Sequence, residues 1–328
     1  MPALPGLVDE LFERPTDDGI TLALLIQQRG EVVAERYGTQ PENIFQPAIE
    51  ITAESTLTSW SMAKSITQAA VGILVGDGVL DVEAPAPVPE WVGTGKAAIT
   101  LLQLLEMRSG LRFVEDYVDD EVSHCLEMLY GESGPSHAAY AAALPLDHEP
   151  GTFYSYSSGT TNIIARIVGD VVSGGPGGDP QRRRIAMEGF LHDRLFGPAG
   201  MDSAIPKFDD SGDFVGSSYV FATARDFAKF GELYRHDGIT SSGARILPPG
   251  WVEQAGTPVS HDDDNGCDYG RHWWTWPQIP GSLAGHGHEG QYLVVVPDRE
   301  LVVVHLGKTD ASSAPHLRAR LRQMIDTF

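Results

Sequence analysis

Ser61 and Lys64, in the stretch Thr58-Ser59-Trp60-Ser61-Met62-Ala63-Lys64-Ser65, stand three residues apart where a helix is expected to begin. At that spacing both side chains share one helical face. Serine is a weak nucleophile near neutral pH, so it needs a base within hydrogen-bonding reach and donors aimed at the oxyanion. A lysine desolvated beside it can give up its proton and serve as that base. The same residues also describe a serine N-cap followed by a surface lysine. The pair therefore needs support from elsewhere in the chain.

Two further segments supply candidates. Phe153-Tyr154-Ser155-Tyr156-Ser157-Ser158-Gly159-Thr160-Thr161-Asn162 reads as a turn before an apolar helix. A tyrosine hydroxyl held near lysine can relay a proton to a leaving group, whereas two tyrosines packed under a loop would do nothing chemical. Gly285-His286-Gly287-His288-Glu289-Gly290-Gln291 runs directly into a strand, and glycines there let backbone approach a ligand. Its His-x-His permits a metal reading, but no other ligand cluster accompanies it, and no cofactor is expected. Trp273, Trp274 and Trp276 offer either an apolar acyl pocket or sheet-core packing. The acidic run Asp262 to Asp264 lacks the spacing of a calcium loop and reads as solvated.

The elements that would position these residues follow from periodicity. An amphipathic helix is expected around Leu4 to Glu13, then a hairpin of Thr21 to Gln27 and Glu31 to Tyr37 around Gln28-Arg29-Gly30. After Ser61, the residues Ile66, Ala69, Ala70, Ile73 and Leu74 mark one buried helical face, which Gly76-Asp77-Gly78 ends. Helical patterns follow at Thr100 to Met107, Glu121 to Leu129, His137 to Ala143, Asn162 to Val172, Ile185 to Leu195 and Ala224 to His236. Gly174 to Pro180 and the triplet Arg182 to Arg184 read as a solvated surface loop entering a helix. Strands Gln291 to Val296 and Leu301 to Leu306 form a second hairpin through Pro297-Asp298-Arg299-Glu300, and a helix from Pro315 to Asp326 closes the chain.

Six stretches in this order and spacing resemble the serine β-lactamase and penicillin-binding-protein superfamily: Ser61-Met62-Ala63-Lys64, Gly76-Asp77-Gly78-Val79-Leu80-Asp81, Leu104 to Leu111, the tyrosine segment, Leu195-Phe196-Gly197-Pro198-Ala199-Gly200-Met201, and His288-Glu289-Gly290-Gln291 with Val296-Pro297. Within it, the chain is similar to the class C β-lactamase-like branch of family VIII carboxylesterases and 6-aminohexanoate-dimer hydrolases. The resemblance implies an α/β (α+β) fold, with an antiparallel sheet built from both termini, flanked by helices, and an inserted all-helical lobe. Residues 1–76 and 237–328 would form the sheet lobe and residues 77–236 the mainly helical one, with the active site between them.

Carried over residue by residue, Ser61 resembles the acylated nucleophile and Lys64 its general base. The family tyrosine stands seven residues before a Leu-Leu-Gly whose place is taken by Ile163-Ile164-Ala165, which selects Tyr156 and leaves Tyr154 for the pocket wall. Ser158 then replaces the family asparagine. His288-Glu289-Gly290 resembles the His-x-Gly variant of the Lys-Thr-Gly motif, with His286 as the alternative in a shifted register. A neutral histidine beside a glutamate attracts an anion less than that lysine does. The amide of Gln291, or of Gly290 one residue earlier, would join that of Ser61 in the oxyanion hole, and Trp273 is a substrate-pocket candidate. These features imply a serine hydrolase of esters or small linear amides, acting through an acyl-enzyme on Ser61. The alternatives are a β-lactamase or D-aminopeptidase on the same machinery, and a non-catalytic binding module.

Composition sets the outer bounds. The 328 residues include 45 acidic and 23 basic ones, a formal charge of -22 that would repel phosphate backbones and anionic lipid. The expected partner is a small-molecule ester or amide, with neither nucleic acid nor membrane; oligomeric state is left open. The acidic N-terminal segment lacks the basic and apolar regions of a signal peptide, and a cytoplasmic location is expected. Cys125 and Cys267 leave room for one disulfide at most.

Overall fold

The structure is a computed structural model that describes residues 3–44, 46–115 and 122–328. It is a mixed α/β fold around an eight-stranded sheet. In chain order the strands are β1 (Ile20–Gln28), β2 (Glu31–Tyr37), β3 (Ser260–Asp262), β4 (Cys267–Tyr269), β5 (Trp274–Thr275), β6 (Leu283–Gly287), β7 (Gln291–Val296) and β8 (Leu301–Lys308). Their spatial order is β2-β1-β8-β7-β6-β5-β4-β3, and every neighbouring pair is antiparallel. N-terminal β1 lies directly beside C-terminal β8, with Leu24 opposite His305, so both ends of the chain are needed to complete the sheet.

Side chains of β8 alternate between two cores, as the period of a strand requires. Leu301 and Val303 pack with Leu24, Ile26 and Val294 under helices α1 (Leu4–Phe12) and α5 (Ala314–Ile325). Val302, Val304 and Leu306 face the other way, toward α2 (Ala63–Gly76) and α4 (Ala224–Arg235). That second core continues through α2 into α3 (Ser158–Ser173), where Ile163, Ile164, Ile167 and Val168 are buried. Gly231 of α4 lets the helix approach the sheet, because a Cβ there would stand 2.6 Å from Val302 Cγ1.

Helix α2 departs from the single buried face that its periodicity suggested: Ala63 through Leu74 are all buried. The polar residues among them have internal partners. Ser65 Oγ donates to the His272 carbonyl at 2.9 Å, Thr67 Oγ1 donates to the Gly216 carbonyl at 3.0 Å, and Gln68 accepts from the Tyr234 hydroxyl. A polar residue in a helix marks a wet face only when no internal partner awaits it.

The regular elements described between residues 77 and 236 are helices, joined by long loops, except for two short strands, Ile205–Pro206 and Val220–Ala222, which join Leu57–Thr58 in a separate three-stranded sheet. Helices occupy Leu101–Leu105, His124–Tyr130, His137–Ala143 and Pro180–Leu191. The expected start at Glu121 lies outside the described residues. The solvated reading of Arg182 to Arg184 fails at Arg183, which is buried between Asp170 at 2.8 Å and Asp213 at 2.5 Å. Cys125 and Cys267 are both buried, and no disulfide joins them to each other. Among the described residues no helix is long and apolar enough to cross a membrane.

Candidate active site

The chain entering α2 is bent before Ser61. Trp60 has a φ of 43°, a left-handed conformation that a bulky residue adopts only when its surroundings enforce it. Trp60–Met62 then form one 3-10 turn that runs into α2. The segment is anchored by Ser59, whose hydroxyl accepts the Val220 N–H at 3.0 Å and whose own N–H donates to the Val220 carbonyl at 2.8 Å. This places Ser61, half-buried, at the turn and Lys64, fully buried, one helical step below.

Lys64 Nζ lies 2.9 Å from Ser61 Oγ, 2.9 Å from Ser158 Oγ and 3.1 Å from the Ser217 carbonyl. It also sits 4.7 Å over the Tyr156 ring. Burial lowers the lysine pKa, with Glu115 pulling the other way. The Tyr156 phenol is within hydrogen-bonding reach of the Ser61 hydroxyl, and burial pushes its pKa up, so it stays protonated through the ordinary pH range. Ser61, Lys64, Tyr156 and Ser158, drawn from two distant stretches of sequence, thus meet at one point. The N-cap of α3 is the preceding residue, Ser157, whose hydroxyl accepts the Thr160 N–H at 3.0 Å. Ser158 is consequently left to face the lysine.

Tyr154 does not reach the lysine but packs on Tyr269 at 5.4 Å between ring centroids, and Tyr269 in turn meets the edge of Tyr156 at 5.9 Å. Trp273 turns away from this cluster. It is wholly buried against Tyr234 at 4.5 Å and Phe230 at 6.1 Å, on the α4 side of the sheet. Core packing therefore takes Trp273, and the tryptophan that touches Tyr156 is Trp274, at 5.3 Å. Adjacent residues near a strand face opposite ways, which accounts for the exchange.

The Gly-His segment forms β6 and the turn into β7. β6 flanks the Ser61 turn so closely that a Cβ at Gly287 would collide with the Ser59 carbonyl. The His288 ring meets Trp60 edge-on at 5.6 Å, and Trp60 also contacts Tyr219 at 5.6 Å, giving an aromatic wall beside Ser61. His286 points to the opposite face, where it stacks on Trp274 at 5.1 Å and accepts the Trp276 N–H at 2.8 Å. The Gln291 side chain is buried inside the turn. Its amide donates to the His288 carbonyl at 2.9 Å and the Gly307 carbonyl at 2.8 Å, while its oxygen accepts the Gly307 N–H at 2.9 Å. His305 holds the Gly290 carbonyl at 2.7 Å, and the Thr309 N–H holds that of Glu289 at 2.9 Å.

Glu115 and Ser217 are the site residues that pattern reading missed. Glu115 is half-buried and bonds Ser158 through both oxygens. The only signal for it was an acid following Leu111-Arg112-Phe113-Val114, with nothing to say what it would face. Ser217 contributes a backbone carbonyl, which no residue type announces. Among the described residues no group of three or more His, Cys, Asp or Glu side chains is placed to hold a metal ion.

An open serine bonded to a buried lysine, under a tyrosine and beside a strand edge, defines a serine hydrolase site, and the comparisons agree in class. The family model described as Beta-lactamase matches residues 8–325, and the chain belongs to that family. It is similar to a 6-aminohexanoate-dimer hydrolase of Paenarthrobacter ureafaciens, 29% identical over 320 residues, covering 92% of this chain and 75% of that one. In fold it resembles an octameric penicillin-binding protein homologue from Pyrococcus abyssi (TM-score 0.71, 18% identity, 96% of this chain and 74% of the other). It likewise resembles a family VIII carboxylesterase (TM-score 0.69, 15% identity, 98% of both chains). The protein is a serine hydrolase of the β-lactamase type.

Proposed function

We propose that this hydrolase cleaves carboxylic esters or small linear amides through an acyl-enzyme on Ser61. The observation that carries the reading is the 2.9 Å contact between a half-buried Ser61 hydroxyl and the fully buried Lys64 amine. Lys64 takes the Ser61 proton as the oxygen attacks the carbonyl, and Tyr156 passes a proton to the departing alcohol or amine. Water then repeats the sequence on the acyl-enzyme. The amide of Ser61 and one amide of the 288–291 turn, from Gln291 or Gly290, stabilise the oxyanion. Inward-held carbonyls on His288, Glu289 and Gly290 support this, because each following N–H in a planar trans peptide points the opposite way.

Linear substrates are favoured over β-lactams because Ser158 and His288 stand where lactam recognition would use an amide and a cation. The name of the curated relative adds a linear amide, the 6-aminohexanoate dimer, to the substrates worth trying. The test is turnover of p-nitrophenyl acetate and butyrate, nitrocefin and the linear dimer by the wild type and Ser61→Ala, with mass analysis of a fluorophosphonate adduct. Ester or linear-amide turnover that falls by about 10⁴-fold or more in the variant is expected. Unchanged turnover in Ser61→Ala sinks the assignment, and nitrocefin as the best substrate transfers it to the β-lactamase reading.

A further inference from the structure

One half-buried acid, Glu115, stands behind the lysine. Glu115 accepts the Ser158 hydroxyl hydrogen on Oε1 at 2.6 Å and the Ser158 N–H on Oε2 at 2.7 Å, and the Cys125 thiol lies 3.8 Å from Oε1. Ser158 is the first residue of the 16-residue helix α3, so its N–H is one of the amides the helix leaves unpaired, and the carboxylate occupies the positive end of the helix dipole. Burial pushes the Glu115 carboxyl up, while the Lys64 charge and the hydrogen bonds from the Ser158 hydroxyl, the Ser158 N–H and the Cys125 thiol pull it back toward the ionised form, in which it accepts from all three donors.

The hydrogens around Lys64 can then be counted. The single hydrogen of the Ser158 hydroxyl is committed to Glu115, so toward Lys64 that oxygen only accepts. The Ser217 carbonyl also only accepts. A neutral amine has two hydrogens, and these two acceptors take both. The lone pair is left facing Ser61 Oγ.

We propose that Glu115, acting through Ser158, is a positioning residue that turns the lone pair of Lys64 onto Ser61 and balances the charge when the lysine takes the proton. This rests on the Ser61–Lys64 assignment above. In acylation the Ser61 proton moves to Lys64, the Ser61 oxygen bonds to the acyl carbon, and the bond from that carbon to the leaving oxygen or nitrogen breaks. The proton reaches the leaving group by way of Tyr156. Glu115 holds no proton at any stage; it faces an amine that becomes an ammonium one hydroxyl away.

Among the described residues the other ionisable groups facing Lys64 are Tyr156, Cys125 and His272. Burial brings His272 down to about 3 and pushes Tyr156 up, so at neutral pH neither carries charge. Glu115 is the counter-ion, and its charge raises the lysine pKa. Removing that charge must lower it.

The experiment is the pH profile of kcat/KM for p-nitrophenyl butyrate in the wild type, Glu115→Gln, Glu115→Asp and Ser158→Ala. Thermal melts check each fold, and the mass of the fluorophosphonate adduct reports on Ser61. Glu115→Gln is expected to lose about 10-fold or more at the plateau and to move the acidic limb down by about one pH unit or more. Glu115→Asp keeps the charge at shorter reach, so its plateau falls while its limb stays near that of the wild type. Ser158→Ala cuts the bridge and lowers the plateau. A folded Glu115→Gln whose limb does not move overturns the proposal and leaves the Ser61 assignment standing. Should that variant fail to fold, a wild-type plateau in Ser158→Ala overturns it instead. Absence of both turnover and adduct in the wild type sinks the two together.

Discussion

His272 Nδ1 lies 2.8 Å from the Leu105 carbonyl, which can only accept, so that nitrogen carries a hydrogen, and Nε2 lies 2.9 Å from the Thr161 hydroxyl. Burial brings the ring pKa down to about 3, so at neutral pH the ring is uncharged and Nε2 accepts the Thr161 hydrogen, tying the loop before β5 to the helix Leu101–Leu105 and to α3. His305 repeats the pattern between the Gly290 carbonyl at 2.7 Å and the Thr21 hydroxyl at 3.0 Å. His286 accepts from Trp276, a donor-only group.

These histidines predict acid sensitivity. Burial depresses His272 and His305 to about 3 and His286 well below its ordinary value. In the unfolded chain each titrates near 6.5. A depressed folded pKa means that the unfolded state binds more protons, so the stability is complete above about pH 6.5 and is lost as pH falls toward 3. Each histidine contributes a slope of up to about 1.4 kcal/mol per pH unit in that window. Melting temperature should fall steadily from pH 7 to pH 4.5. His305→Gln should be less stable at pH 7 and show a shallower decline; an unchanged slope would contradict the account.

Two glycines should answer oppositely to alanine. At Gly231 the new methyl would stand 2.6 Å from Val302 Cγ1 and 3.0 Å from Leu293 Cδ1, between α4 and the sheet. Overpacking there should cost about 1–3 kcal/mol. Gly6 lies within α1 with nothing within 4 Å of a Cβ, so Gly6→Ala should gain a few tenths to about 1 kcal/mol from helix propensity. Urea titrations of the two variants give the comparison.

Ion pairs should divide by burial. Arg183, with 6% of its side chain exposed, bridges Asp170 and Asp213, so Asp213→Ala leaves a buried guanidinium short of a partner and should cost about 3–5 kcal/mol. Arg29 and Glu300 are paired at 2.9 Å but are 73% and 51% exposed. Arg29→Ala should shift stability by less than about 1 kcal/mol. Equal effects in chemical denaturation would refute the distinction.

The sheet and its hairpins were legible in the sequence because alternation and turn chemistry are local. Pro297 to Glu300 joins β7 to β8 with Val296 opposite Leu301, and Glu300 takes the left-handed conformation the tight turn needs. Ser61, Lys64 and Tyr156 were legible as an ordered pattern, and the structure brings them together. What was hidden depends on partners distant in the chain. The burial of Thr67 follows from a carbonyl at Gly216, the burial of Arg183 from Asp213, and the role of Glu115 from Ser158. Trp273 and Trp274 show the finer limit: alternation says that neighbours diverge, but only the tertiary fold decides which one meets Tyr156.

The turn between β6 and β7 offers a last prediction, since the Gln291 side chain holds it while the backbone is assigned to the oxyanion. Gln291→Leu keeps the backbone amide and the side-chain bulk. It removes the donor to His288 and Gly307 and the acceptor for the Gly307 N–H. Those groups are buried and would be left unsatisfied, so stability should fall by about 1–3 kcal/mol. A turn no longer pinned from inside also loses its aim, and a misplaced oxyanion donor costs about 10²-fold in kcat. KM should change little, because ester binding does not use the carboxamide. The kinetics of p-nitrophenyl butyrate at a temperature well below the melt separate the two effects. A normal kcat in a destabilised Gln291→Leu would show that the turn supplies packing alone and that the oxyanion is held from elsewhere.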